Sequence, residues 1–425
     1  MLLFLIAPLA AFVLQAETRT LSLKEAVQIA IRENPDILLA RLEEQKATLA
    51  VRVAKDPFRP KVYTGSGLAY SHGFPMSVEG SAPTIVQARA VSSLFNKSHS
   101  YNVARTMEEA RTAAIDTQMR RDEVVWRTAL LYLDAAHWPR AAAAIKAQAE
   151  SLEKSAEAVR FRVREGRELE IENKRAALAI AKAGQRLEAI DQERDWAEAS
   201  LAMVLGMMAG DRVRAVYDEP LALELPGSEE SSVEIALSGS REVRRLESAL
   251  LAKGHEARQH RATRLPTFDL VAQYGLFARF NNYEDFFRKF QRHNGQIGMS
   301  MQIPLFPSTA SIALTAQAGA EATRLRTQLV QARNRISLET RKAFAQLGFS
   351  AKAREVARLD LELARDQVTL LLAQMEEGRA SLRQIEEARI IEQEKWLAYF
   401  ESQIAAEKAK LELLHQTGTL VAALR

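Results

Sequence analysis

Polar and apolar residues alternate along two stretches in the second half of the chain. In Gln296–Phe306 one face would carry Ile297, Met299, Met301 and Ile303. In Thr267–Leu276 one face would carry Phe268, Leu270, Ala272, Tyr274 and Leu276. Because successive side chains of a strand point to opposite faces, both stretches predict β-strands with one apolar face and one largely polar face.

Most of the remaining chain has helical spacing. Two long stretches, about Ser98–Arg164 and about Thr309–Glu376, contain only one proline, Pro139. Each helix would be on the order of 100 Å long at about 1.5 Å per residue. In the second, apolar residues recur at coiled-coil spacing: Leu325, Leu329, Ala332, Ile336, Ala343 and Leu347. The sequence therefore predicts a mainly α-helical fold with a small β part and long coiled-coil hairpins.

The chain contains two copies of one pattern. The segment FRPKVYTGSGLAY at Phe58–Tyr70 resembles RLPTFDLVAQYGLF at Arg264–Phe277, and SSLF at 92–95 matches IPLF at 303–306. The tripeptide Glu-Gly-Arg occurs at 165–167 and again at 377–379. In each case the second copy lies nearly the same distance along the chain after the first. Such self-similarity predicts two structural repeats, with a short insertion between the strands of the second.

The repeats set the expected domain boundaries. The first repeat is 17–206, with strands at about 58–70 and 84–95 and a helical hairpin that reverses at 165–167. A connector follows at 207–231, where Pro220 and Pro226 disfavour regular structure. The second repeat is 232–425, with strands at about 266–280 and 294–305 and a hairpin that reverses at 377–379.

The N-terminal stretch 1–16 is uncharged and apolar and ends in a small residue, which predicts a signal peptide cleaved after Ala16. A transmembrane anchor is the alternative, although the stretch is shorter than the ~20 residues that a helical span needs. The chain has no cysteine, which excludes disulfides and a lipid-modified cysteine. The net charge is only +4 and the charges of both signs are interspersed, so we expect no nucleic-acid partner.

The apolar faces of the predicted strands must be shielded from water by another apolar surface. A half-buried soluble sheet and a membrane barrel wall both show this alternation, but no spare amphipathic helix of ordinary length remains to cover a soluble sheet. Aromatic residues crowd the connection between the later strands, as in an interfacial girdle: Phe277, Phe280, Tyr283, Phe286, Phe287 and Phe290. The earlier strands alternate less regularly, since Gln87 and Arg89 would share a face with Ile85 and Val91.

Four strands per chain are too few to close into an open barrel. Unpaired backbone groups in lipid cost several kcal/mol each. The sequence therefore predicts that several chains share one transmembrane barrel.

Motifs for catalysis are missing from the sequence. The seven histidines form no HExxH motif and no i,i+4 pair, and no glycine-rich phosphate loop is followed by Lys-Ser or Lys-Thr. We expect a protein that is not an enzyme and needs no cofactor or metal.

The order of motifs resembles a known family. These motifs are LSLKEAVQIAIRENPDI at Leu21–Ile37, RPKV, VVWRTALLYLDAA, LAMVLG, RLPTFDLVAQYG, IPLF, the two Glu-Gly-Arg turns and a last helix ending in LLHQTG. Together they resemble the TolC-like outer-membrane efflux proteins over Glu17–Arg425. The resemblance implies a homotrimer with one shared 12-stranded barrel in outer-membrane lipid and a long α-helical barrel in the periplasm.

The resemblance also implies a function and partners. It implies the exit duct of a tripartite efflux pump or type I secretion system, which works with a periplasmic adaptor (membrane fusion) protein and an inner-membrane transporter. The turns where the adaptor docks correspond to Glu165, Gly166 and Arg167 and to Glu377, Gly378 and Arg379. Family members often carry Val-Gly-Leu or Val-Gly-Thr at these turns, so this chain departs from the family there.

The resemblance places the periplasmic aperture at Gln384 and Glu387, where the family often has two acidic residues. These residues are three apart and share a helix face, so three chains would bring three Glu387 carboxylates to one axis. Only one of the two positions is acidic in this chain. The resemblance therefore does not predict whether cations plug the pore.

A second class of function stays open beside the duct. The helices alone would also suit a non-channel coiled-coil protein of the periplasm or envelope, either structural or an adaptor. An adaptor would need lipoyl-like and β-rich domains beside its hairpin, and the sequence shows neither.

Overall fold

The computed structural model describes residues 18–67, 84–208, 210–216, 223–277, 291–306, 309–377, 379–380 and 382–424. Contacts divide the chain into two compact units. The first unit comprises Met1–Leu39, Gln118–Ser240 and Arg333–Arg425, and the second comprises Ala40–Thr117 and Arg241–Ala332. The predicted signal peptide at 1–16 lies outside the described residues.

The first repeat and the connector contain strands and helices in this order: β1 Thr18–Leu21, α1 Leu23–Glu33, α2 Pro35–Lys55, β2 Lys61–Gly67, β3 Thr84–Phe95, α3 Lys97–Arg164, α4 Glu170–Val204 and β4 Arg212–Ala215. Ser22 and Glu25 form a capping box at the start of α1, because the Ser22 amide donates to the Glu25 carboxylate at 2.8 Å and the Glu25 amide donates to the Ser22 hydroxyl.

The second repeat follows the same order: α5 Glu229–Gly239, α6 Arg241–Ala262, β5 Thr267–Phe277, β6 His293–Gln302, α7 Thr309–Glu376, α8 Leu382–Gln416 and α9 Leu420–Ala423. Helices α3 and α7 both have 68 residues, and α4 and α8 both have 35 residues. The interval along the chain from the start of α3 to the start of α7 equals the interval from α4 to α8. The prediction of a mainly helical fold with a small β part and two internal repeats is confirmed.

Prolines shorten two strands relative to their predicted bounds. Asp56–Phe58 forms a turn of 3-10 helix, and Pro60 precedes β2, which begins at Lys61 rather than near 58. Strand β6 ends at Gln302 rather than near 305, just before Pro304. A proline has no N–H to donate to a sheet, so both strands stop where a proline would have to pair.

The second unit contains a four-stranded antiparallel sheet in the order β2-β3-β5-β6. The two strands of each repeat are neighbours, and the repeats meet where β3 pairs with β5. None of the helices in the described part of the chain combines the length and apolarity needed to cross a membrane.

The first unit contains a second sheet, which the sequence did not predict. Strand β1 pairs in parallel with β4, which lies in the predicted connector. The hydroxyl of Tyr132 on α3 lies 2.6 Å from the carbonyl oxygen of Val216 and 3.1 Å from that of Leu21. The N-terminal strand and the connector are therefore tied to the same helix.

Arginines of β4 also bind the connector to α4. Arg212 donates to the carbonyl oxygen of Asp195 at 2.7 Å, and the Nε of Arg214 lies 4.0 Å from the Glu198 carboxylate. Burial raises the pKa of the Glu198 carboxyl, and Arg214 partly offsets this effect. The start of the predicted connector is thus an ordered part of the first unit.

Helices α3, α4 and α8 end in the same way. Each is followed by a glycine in the left-handed conformation: Gly166 at φ 70°, Gly206 at φ 80° and Gly418 at φ 70°. After α4, the amide of Met207 donates to the Ala202 carbonyl and that of Gly206 to the Met203 carbonyl, both at 3.0 Å. These bonds form a Schellman motif, which satisfies carbonyls that a helix end otherwise leaves unpaired.

Position 206 requires glycine because of its surroundings as well as its backbone angle. A Cβ atom at this position would lie 2.6 Å from the carbonyl oxygen of Glu33, at the end of α1. A Cβ at Gly166 would meet nothing within 4 Å. The end of α1 can therefore approach the end of α4 closely only because residue 206 is glycine.

Candidate functional sites

The sheet of the second unit has an apolar face built from all four strands. Its members are Val62, Val86, Ala88, Ala90, Phe268, Leu270, Ala272, Tyr274, Leu276, Ile297, Met299 and Met301, with Thr64, Ser92 and His293 as polar members. The register produces this face directly, since Leu270 lies opposite Met299 and Ala272 opposite both Ile297 and Ala90. The predicted separation of faces in β5 and β6 is confirmed.

The opposite face is mostly polar. It carries Lys61, Gly65, Gln87, Arg89, Ser93, Thr267, Asp269, Gln273, Gly275, Asn294, Gln296, Gly298, Ser300 and Gln302, with Tyr63, Val91 and Val271 as apolar members. Arg89 lies opposite Gln273 and Gln87 opposite Gly275. The sheet therefore separates water-compatible from apolar side chains across its whole width.

The irregular alternation of β3 has a structural cause. The register of β3 shifts between Thr84 and Val86, which removes Ile85 from the pairing. Such a bulge resets which face each following residue points to. Gln87, Arg89 and Val91 lie on the polar face as predicted, whereas Ile85 has no paired residue on β5 that would place it on either face.

Much of the apolar face is exposed in the single chain. Ile297 is 75% exposed and Met299 is 69% exposed. In addition, β2 and β6 each have a partner strand on one side only among the described residues, so the sheet has two open edges. An exposed apolar face with open edges indicates a surface that is completed by something outside the single chain.

The first predicted docking turn is a tight helix reversal. The amide of Gly166 donates to the Val163 carbonyl at 3.0 Å, and the amide of Arg167 donates to the Arg162 carbonyl at 2.9 Å. Glu165 and Arg167 form an ion pair at 3.3 Å. The turn therefore presents one carboxylate and one guanidinium on a backbone that is held by two hydrogen bonds.

The second predicted turn repeats this geometry as far as it is described. The amide of Arg379 donates to the Gln374 carbonyl at 2.8 Å, which matches the bond of Arg167, and Glu377 pairs with Arg379 at 3.2 Å. Gly378 and Ser381 lie outside the described residues.

The predicted aperture residues lie in the first turns of α8. Ile385 and Ala388 on this helix are buried, whereas Gln384 and Glu387 are exposed. Arg383 donates to the Glu387 carboxylate at 2.9 Å, and this bond raises the pKa of the Arg383 guanidinium above its usual range. The Glu387 charge is thus balanced within the chain. This partner of Glu387 was not predicted, although the i,i+4 spacing of Arg383 and Glu387 suits an ion pair.

Helix α8 contributes to a charged cavity of about 590 Å³ in the first unit. Helices α3, α4 and α8 line it, and its charged members are Arg162, Glu168, Glu172, Arg175, Arg383, Glu386 and Glu387. Arg175 pairs with Glu172 at 2.6 Å, and Arg162 lies 3.5 Å from Glu168. With the Arg383–Glu387 pair, three of the four lining acids are matched by lining bases, and Glu386 pairs instead with Arg389 at 3.9 Å, which is not part of the lining.

No cluster of histidines and carboxylates suited to a metal ion occurs among the residues that the structure describes.

Comparison with solved structures gives the fold. The structure of the outer membrane protein VceC from Vibrio cholerae matches with a TM-score of 0.76 and 16% identity, over 93% of this chain and 96% of that chain. The Campylobacter jejuni CmeC outer membrane channel matches with a TM-score of 0.77 and 13% identity, over 94% and 86%. The Neisseria gonorrhoeae MtrE outer membrane channel, in its open state, matches with a TM-score of 0.73 and 15% identity, over 94% and 89%.

The chain has the TolC-like fold of these outer-membrane channels. No protein-family model and no curated protein matches the sequence. The TolC-like fold agrees with the family resemblance inferred from the order of sequence motifs, since both span nearly the whole chain. The fold does not test the roles of the two turns or of Gln384 and Glu387, which stay predictions.

Proposed function

We propose that this chain is one subunit of an outer-membrane exit duct. The observation that supports the proposal most is the four-stranded sheet with an exposed apolar face, a polar opposite face and two open edges. In a membrane every backbone group must be paired within protein, so an open sheet cannot be stable there alone. Pairing β6 of one copy with β2 of the next satisfies both edges at once.

Three copies suit this assembly. They supply 12 strands from sheets of four, an even number within the range of outer-membrane barrels. The apolar face would then contact outer-membrane lipid and the polar face would line the lumen, while the helices would extend into the periplasm. The duct is a passive conduit rather than an enzyme, and the solved structures of the same fold include outer membrane channels.

Within an efflux or type I secretion machine, the duct receives its substrate from an inner-membrane transporter through a periplasmic adaptor. The helix reversals around Gly166 and Gly378 are the proposed adaptor-docking sites. A wide polar lumen passes substrates without binding them tightly, so the machine's specificity resides in the transporter.

Membrane fractionation tests the proposed function. Full-length protein from cells should fractionate with the outer membrane, and its electrophoretic migration should change after heating because the barrel resists detergent until heated. Recovery in the soluble periplasmic fraction, with no change on heating, would contradict the duct and support the coiled-coil alternative.

The docking turns can be tested by substitutions on their surface. Because Arg167 and Arg379 are solvent-exposed beside their glutamates, changing both to alanine should remove adaptor contacts without disturbing the helix ends. In this double variant we expect both the yield of adaptor photocrosslinked at the turns and the rate of export to fall. Arg120→Ala, at an exposed ion pair in the middle of α3, serves as the matched control. If crosslinking and export persist when both turn arginines are absent, the turns are not docking sites.

The aperture can be tested by channel block. In a trimer, three Glu387 carboxylates would attract divalent or trivalent cations at the periplasmic mouth, but each is partly neutralised by Arg383. We therefore expect Arg383→Ala to strengthen cation block of single-channel current and Glu387→Ala to weaken it. Glu394→Ala, on the same helix two turns further from the mouth, should leave block unchanged. Unchanged block in both the Arg383 and Glu387 variants would remove these residues from the aperture.

A further inference from the structure

One row of polar side chains crosses the polar face of the sheet near the middle of its strands. Tyr63 of β2 lies opposite Arg89 of β3, and Arg89 lies opposite Gln273 of β5. Gln273 in turn lies opposite Gln296 of β6. All four residues are exposed in the single chain. This row, the Arg89 rung, therefore takes one residue from each strand and carries a single charge.

The two other charged residues on the described polar face do not neutralise Arg89. Lys61 is itself a cation and is paired with Asp56 at 2.5 Å. Asp269 lies four residues before Gln273 on β5, which is about 14 Å along the strand. Among the residues that the structure describes, Arg89 therefore has no ion-pair partner.

Three copies of the rung would lie at one level of the shared barrel. This inference rests on the proposed function, in which three copies share one barrel and the polar face lines its lumen. Subunits of a closed ring are related by rotation about its axis, so the three Arg89 side chains share one depth. Arg89 lies midway along β3, which places this level near the middle of the barrel wall.

We propose that the three Arg89 rungs form a collar in the lumen that concentrates anionic organic solutes, those that carry carboxylate, sulfonate or phosphate groups. A guanidinium presents its N–H donors in a plane that matches the oxygen atoms of these groups. The amides of Gln273 and Gln296 and the hydroxyl of Tyr63 supply neutral donors in the same row. Arg89 thereby becomes a residue that determines which solutes the duct favours.

Asp269 forms a second charged level of opposite sign. It lies opposite Ser93 on β3 and Ser300 on β6, so three copies would place three carboxylates at one depth. The separation of about 14 Å from the rung exceeds the ~10 Å Debye length at 0.1 M salt. Each level therefore sets its own local potential, and the Asp269 level serves as a reference of opposite sign for the collar.

Thiol reaction rates measure the local potential directly, because the natural chain has no cysteine. Gln273→Cys places a thiol beside Arg89, and Ser300→Cys places one beside Asp269. Each full-length variant is reconstituted as its membrane-inserted oligomer and treated separately with an anionic (sulfonatoethyl) and a cationic (trimethylammonioethyl) methanethiosulfonate. The measured quantity is the ratio of the anionic to the cationic rate constant, in which differences in access to the two thiols cancel.

Removing the Arg89 charge should lower this ratio at Gln273→Cys. Coulomb attraction over about 7 Å in water, screened by about 0.1 M salt, predicts a fall of about threefold in Arg89→Gln, because the two rate constants change in opposite directions. Arg89→Lys keeps the charge and should keep the ratio. At Ser300→Cys the ratio should not respond to Arg89→Gln and should rise in Asp269→Asn.

Salt provides a second measurement that needs no change at Arg89. Raising the salt concentration to about 1 M shortens the Debye length to ~3 Å. The ratio should then fall at Gln273→Cys and rise at Ser300→Cys. Opposite responses at the two thiols exclude a general effect of salt on the reagents.

The outcomes separate the collar from the duct itself. If both reagents modify Gln273→Cys but neither Arg89→Gln nor salt changes the ratio, the collar is wrong and the duct stands. An equal fall at both thiols in Arg89→Gln would also overturn the collar, because it would show an effect of total charge rather than of one level. If neither thiol reacts with either reagent in the inserted oligomer, or if the chain is a soluble monomer, the polar face does not line a lumen and both proposals fail.

Discussion

Replacing Met299 with arginine is expected to destabilise the membrane-inserted protein by about 2–4 kcal/mol, the usual cost of a charged residue near the midplane on the lipid side of a barrel. Met299 lies opposite Leu270 in the middle of β6, on the apolar face. The change should reduce the fraction of protein that resists urea extraction from membranes. It should also lower the temperature at which the oligomer unfolds.

The adjacent residue provides the matched control. Ser300 lies one position further along β6, on the polar face and opposite Asp269. Ser300→Arg places the same side chain at nearly the same depth but toward the lumen, so insertion and thermal stability should stay close to those of the natural protein. Equal losses in the two variants would show that the sheet does not have one lipid face and one water face.

Replacing Gly206 with alanine is expected to lower the stability of the first unit by roughly 2–5 kcal/mol, as the sum of a backbone cost and a steric cost. The left-handed backbone contributes about 1–2 kcal/mol of this cost for any residue with a Cβ. The clash with the Glu33 carbonyl, which a Cβ would approach to 2.6 Å, adds about 1–3 kcal/mol, as overpacking does in other packed sites. The unfolding midpoint of the detergent-solubilised protein measures the loss.

Gly166→Ala isolates the backbone contribution, since this glycine has nearly the same φ but open space around it. We expect Gly166→Ala to cost only the ~1–2 kcal/mol of the left-handed conformation. A smaller loss at Gly206 than at Gly166 would contradict the close approach of α1 to the end of α4.

The elements with strong periodicity were predictable from the sequence. The 68-residue helices α3 and α7 and the alternating strands β5 and β6 have long, regular patterns, and the Glu-Gly-Arg repeats locate the first helix reversal at Gly166. In each case a local rule, three to four residues per turn or two per strand period, agrees with the tertiary fold.

The elements that sequence reasoning missed depend on distant or unperiodic contacts. Strands β1 and β4 are very short, and they pair although nearly the whole first repeat separates them in the chain, so neither shows an alternation long enough to recognise. The register shift between Thr84 and Val86 leaves Ile85 without a paired residue on β5, and the alternation of residue types along β3 does not indicate where this shift falls. The pair of Glu387 with Arg383 was not predicted, since charged residues of both signs are interspersed along the helices and the sequence alone does not show which of them pair.

Single-channel conductance of single-cysteine variants tests the shared barrel most directly. The natural chain has no cysteine, so a charged, membrane-impermeant thiol reagent can act only at the introduced position. Cysteine replaces each residue of the central part of β6 in turn: Gln296, Ile297, Gly298, Met299, Ser300 and Met301. The account predicts discrete channels whose conductance falls after reagent at 296, 298 and 300 but not at 297, 299 and 301. A fall in conductance that does not alternate between successive positions would contradict the account. The absence of channels in the natural protein would contradict it as well.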